Sequence, residues 1–141
     1  MNRSSKNSSL LGSAIVAPLV APTPMQRRLA AVLTPVLTIA MLYLGTRPGT
    51  LAYVPNVPWD KLAHLVVFFG YGTLAWIMFA SRSLIWPIIV AALIGFLDES
   101  MQFFTPGRVA DPFDLAVDVG GAILAVLVLR HLQIRATQRV D

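Results

Sequence analysis

Apolar positions along this chain fall into four long blocks separated by short polar or proline-containing stretches, and the pattern predicts four helices. An uncharged run from Leu29 to Thr46 lies between Arg28 and Arg47, and a second, Leu62 to Ser81, interrupted only by His64, lies between Lys61 and Arg82. Each approaches the ~20 residues an α-helix needs to cross a bilayer. A third block, Ser83 to about Phe104, and a fourth, Pro112 to Leu129, reach that length only by including Asp98 and Glu99, and Asp114 and Asp118. No block alternates with period two, which disfavours a transmembrane barrel. Residues 47–59, with three prolines and a glycine, must form a loop; 81–83 form a tight turn and 105–112 a third connection.

The expected fold is therefore all-α: a polytopic membrane protein with four transmembrane helices over residues 29–132. Residues 1–28 form an irregular or membrane-surface extension, and 133–141 a basic tail. The basic start with Arg3 and Lys6 resembles a signal peptide in outline, but Pro18 breaks its apolar stretch. No internal repeat or low-complexity tract is present.

Composition agrees. Of 141 residues 56% are hydrophobic and 13% charged, against about 25% charged in soluble domains. The absence of cysteine excludes disulfide scaffolds, thiolate metal sites and thiol nucleophiles. The net charge of +4 is explained by topology. With four spans, Arg3, Lys6, Arg27, Arg28, Arg82, Arg130, Arg135 and Arg139 share one side of the membrane, and only Arg47, Lys61 and Arg108 share the other. The first side, with both termini, is expected to be cytoplasmic. Nucleic acid is not needed to account for the basic balance, and membrane lipids are the expected surroundings.

Candidate chemistry gathers on the other, extracytoplasmic side. Asp60, Lys61 and His64 open the second helix, Asp98, Glu99 and Gln102 close the third, Arg108 follows, and Asp111, Asp114 and Asp118 open the fourth. Asp60 with His64 and Asp114 with Asp118 are spaced i, i+4, and Glu99 with Gln102 i, i+3, so each set shares a helix face. Charges at membrane depth are costly and turn toward the bundle interior. Asp60 and Asp111 equally suit helix starts, and Lys61 equally suits snorkelling. Glu99, at a helix C-terminus where an acid is disfavoured, needs a partner, and Arg108 or Lys61 is nearest. Gly120, Gly121 and Ala125, with Ala91 and Gly95, are read as faces for close approach of the third and fourth helices. Trp59, Tyr53, Phe103 and Phe104 fit one interfacial belt and Trp86 the other.

The ordered string Asp60-Lys61-Leu-Ala-His64, then Glu99-Ser-Met-Gln102-Phe-Phe-Thr-Pro-Gly107-Arg108, then Asp114, then Gly121-Ala122 resembles the VanZ-like family of small bacterial membrane proteins. The resemblance covers about residues 60 to 122. It implies a multi-pass protein of the bacterial inner membrane and a relation to low-level glycopeptide resistance. The family pattern usually has asparagine where this chain has Asp118, which adds a negative charge.

Two functions are weighed. In the first, the polar pocket binds or chemically modifies an envelope amphiphile such as a lipid-linked precursor. Lys61 and Arg108 would hold its anionic group, and His64 and Glu99 would move protons as the catalytic pair. Asp60, Gln102, Asp114 and Asp118 complete the network. A hard cation held by His64, Glu99, Asp114 and Asp118 would suit the carboxylates, but no recognised metal motif is present, so no metal or cofactor is expected. In the second, the chain is a non-catalytic structural or assembly subunit of a larger inner-membrane complex, and the polar residues fix helix register. A transporter is weaker, because the charges cluster at one face.

Overall fold

A computed structural model describes residues 19–47, 59–80, 82–106 and 110–138. The elements among these described residues are the helices α1 (Pro24–Gly45), α2 (Trp59–Met78), α3 (Ile85–Phe104) and α4 (Pro112–Thr137). All four are long and apolar enough to cross a membrane, and no strand occurs among the described residues.

Helix boundaries follow local chemistry more than the limits of the uncharged runs. α1 begins at Pro24, five residues before the first apolar run, because Thr23 and Gln26 form a reciprocal capping box and Pro24 occupies the first position. Residues 24–28 are thus helical and continue directly into the first apolar run. α4 begins where Asp111 accepts the Phe113 N–H at 2.9 Å, with Pro112 following. It continues to Thr137, so Arg130 and Arg135 lie on the helix and the expected tail is largely helical. Ala80, past the end of α2, has φ 54°, a left-handed conformation that costs a residue with a Cβ and marks a sharp chain reversal.

The helices do not pack equally. α2 packs most extensively on α4, α3 joins both, and α1 leans chiefly on α2. Glycine sets the closest approach: a Cβ at Gly121 would stand 2.6 Å from the Leu65 carbonyl oxygen, and one at Gly72 would stand 2.9 Å from Ala122 Cα. Gly121 therefore serves the α2–α4 contact, where the α3–α4 contact was expected. Gly95 does serve α3–α4, its missing Cβ making room for Asp118 and Leu115. Gly120 meets nothing and serves neither. Phe68, Tyr71, Ala91, Ile94 and Ala122 fill the centre of the bundle.

At the end where α1 starts and α2 finishes, Trp76, Val126 and Leu129 form a second apolar cluster against which Leu19 packs. The fully buried Trp76 indole donates to the Leu19 carbonyl at 2.9 Å, and Arg27 Nε donates to the Met78 carbonyl at 3.2 Å. α1 contributes little to the interior, with Ala30 and Thr34 its buried residues. It packs on α2 and barely meets α3, and the cleft described next is lined by these elements.

Candidate functional site

The opposite end of the bundle holds the polar groups. His64, one turn into α2, lies with Nδ1 2.9 Å from Asp118 Oδ1 on α4. Asp118 has no solvent exposure. Lys61 Nζ bridges Asp111 Oδ2 at 2.6 Å and Asp114 Oδ1, and the ammonium sits 5.5 Å from the Phe113 ring centroid. Asp111 thus does three jobs: one carboxylate oxygen caps α4, the other takes Lys61, and its backbone N–H donates to Glu99 Oε2 at 2.7 Å. Lys61 beside it holds the Asp111 carboxyl below the usual carboxylate range. On α3, Gln102 Nε2 donates to Asp98 Oδ2 at 3.0 Å.

The three polar stretches therefore meet, but the pairings differ from the simplest expectation. Lys61 neutralises acids on α4, and Glu99 is tied by a backbone N–H. Gln102 reaches Asp98, one turn back, where the i, i+3 spacing pointed to Glu99. Asp60 lies in the first turn of α2, beside His64 on the wall of a cleft. Arg108 lies outside the described residues, as does Tyr53. Trp59, Phe103 and Phe104 are exposed at this end and Trp86 at the other, as an interfacial belt requires.

Two carboxylate oxygens in the cluster are buried without a hydrogen-bond partner, Glu99 Oε1 and Asp118 Oδ2. Buried carboxylate oxygens that accept nothing are costly and call for an explanation.

Beside the cluster a cleft of about 460 Å³ runs between α1 and α2. Leu37, Met41 and Leu44 form one wall, and Val67, Phe68 and Leu74 the other, while Asp60, His64 and Asp98 stand in the same cleft. Its volume is that of a small-molecule site, and its makeup is apolar with a few polar groups. This cleft was missed in the sequence, because which helices stand apart depends on packing. Asp98 carried a usable signal, its i, i+4 spacing to Gln102.

Four membrane-length helices enclosing buried carboxylates at one end define a multi-pass integral membrane protein. The chain belongs to the VanZ/LLP1 family, whose match spans residues 9–133. Comparison with curated proteins gave no match, and neither did comparison with solved structures.

Proposed function

We propose that this VanZ-family protein binds an amphiphile of the cell envelope, with the apolar part in the α1/α2 cleft and the polar head at Asp60, His64 and Asp98. The observation that carries this reading is the cleft itself: one cavity presents apolar walls and ionisable groups together. A lipid-like molecule matches both, whereas a soluble metabolite would leave the walls unsatisfied. The distribution of Lys and Arg between the two sides supports an extracytoplasmic polar end, the side on which an envelope amphiphile would be met.

The head-group chemistry follows from the charges already spent. Lys61 is committed to Asp111 and Asp114, so the groups turned to the cleft favour a head rich in hydroxyl or amide donors. Glu99 is not among the residues lining the cleft, so Asp60, His64 and Asp98 are the ionisable groups placed beside the bound molecule.

Blocking the cleft tests the reading without disturbing the fold. Gly70 lines it, and a Cβ there meets nothing within 4 Å, so Gly70→Leu fills space and removes a flexible residue from a helix. Protein extracted in a mild detergent should carry an amphiphile identifiable by mass spectrometry, and Gly70→Leu should carry at least tenfold less. Equal retention by both would refute cleft binding.

A further inference from the structure

We propose that Asp60, His64 and Asp114 form a binding site for a divalent first-row transition-metal cation at the polar end of the bundle. Each residue offers one ligand atom, and the three atoms lie within 4.8 Å of one another. Asp60 and His64 come from successive turns of α2, and Asp114 from the first turn of α4. The closely packed α2–α4 pair therefore holds the set on rigid elements.

The buried orphan oxygens supply an independent reason for a cation. Glu99 is 8% exposed and Asp118 0%, and each has an oxygen with no partner. Both carboxylates belong to the same polar end: Asp118 Oδ1 contacts His64 Nδ1, and Glu99 Oε2 accepts the backbone N–H of Asp111 beside the Lys61 bridge. Lys61 is spent on Asp111 and Asp114. A divalent cation among Asp60, His64 and Asp114 provides the charge that offsets these carboxylates.

The imidazole is oriented as a ligand. Its Nδ1 is held by the buried Asp118, which leaves Nε2 to coordinate, the carboxylate–histidine–metal arrangement that fixes tautomer and ring plane. One nitrogen and two carboxylates suit zinc, manganese or iron(II) better than magnesium or calcium, which take oxygen alone. Three protein ligands leave a coordination position open. Because Asp60 and His64 also line the cleft, the cation would adjoin the space proposed for the head group. His64 then serves as a ligand, in place of the proton-transfer role expected from the sequence.

This inference stands apart from amphiphile binding, since cation uptake is measured on detergent-solubilised protein with no lipid added. Full-length protein is stripped with EDTA and titrated with zinc chloride by calorimetry, with cobalt(II) absorption in parallel. One zinc per chain is expected, undisturbed by equimolar magnesium. Asp60→Asn and His64→Gln should each weaken binding at least tenfold, and Asp118→Asn about 10–100-fold. His131→Gln, on an exposed position near the far end of α4, should leave it unchanged. Asp60 is partly exposed, so Asp60→Asn should keep the wild-type unfolding temperature and remain readable if the other variants misfold. Folded wild-type protein that takes up no zinc, or equal affinity in Asp60→Asn, would overturn the site.

Discussion

The two ends of this bundle are built on opposite principles. Where α2 finishes, Trp76, Val126, Leu129 and Leu19 pack as an apolar plug, and the one buried indole N–H has its acceptor. Where α2 begins, six acidic side chains gather around one lysine and one histidine, and two buried oxygens accept nothing. A bundle needs only the first kind of end to stay folded. Retaining the second in a bilayer, where unpaired charge is expensive, indicates selection for something other than stability.

The comparison breaks most visibly at the plug. Trp76→Ala should cost about 3–5 kcal/mol in reversible unfolding, while material still folded at low temperature should retain the cleft and its amphiphile. At the polar end, Lys61→Met leaves the buried Asp114 without its cation and should cost about 3 kcal/mol. Adding Asp114→Asn should recover much of that loss, as thermal unfolding of the double variant would reveal. Between the ends, Gly121→Ala forces its Cβ against the Leu65 carbonyl and should lose about 1–3 kcal/mol. Gly120→Ala, facing open space, should lose nothing, and the pair measured side by side isolates the α2–α4 crossing.

The smallest effect is electrostatic. Lys61 holds Asp111 ionised below the usual carboxylate range, so this contribution is complete above the unfolded-chain value of about 3.9. It is lost as pH falls through the lower folded value. Wild-type unfolding temperature should therefore drop on acidification from about pH 5 to about pH 3, and Asp111→Asn should show a shallower drop. An equally steep drop in the variant would assign the effect to other carboxylates.

The four helices were legible because block length and missing charge suffice to mark a span. Their ends were less so: Thr23 and Gln26 carry α1 back to Pro24, and nothing after Leu129 stops α4 until Thr137. Convergence of the three polar stretches was legible from topology, since helices that alternate direction bring those ends to one face. Pairing within the cluster was not, because Lys61 can reach several acids and its choice depends on the distance between α2 and α4. That distance is set by Gly72 and Gly121, whose partner helix is written nowhere in the local sequence. The cleft was hidden for the same reason, as it depends on α1 packing on α2 while barely meeting α3. The hydrogen bond from Trp76 to Leu19 joins positions 57 residues apart, a relation no periodicity carries.

The most direct test of the central claim, that the polar end and its cleft form a binding site, is native mass spectrometry of the full-length protein extracted in a mild detergent. The account predicts a monomer or small homo-oligomer carrying a bound amphiphile in stoichiometric amount. A stable assembly with other proteins, carrying no amphiphile, would contradict it and make the polar end the architecture of a subunit.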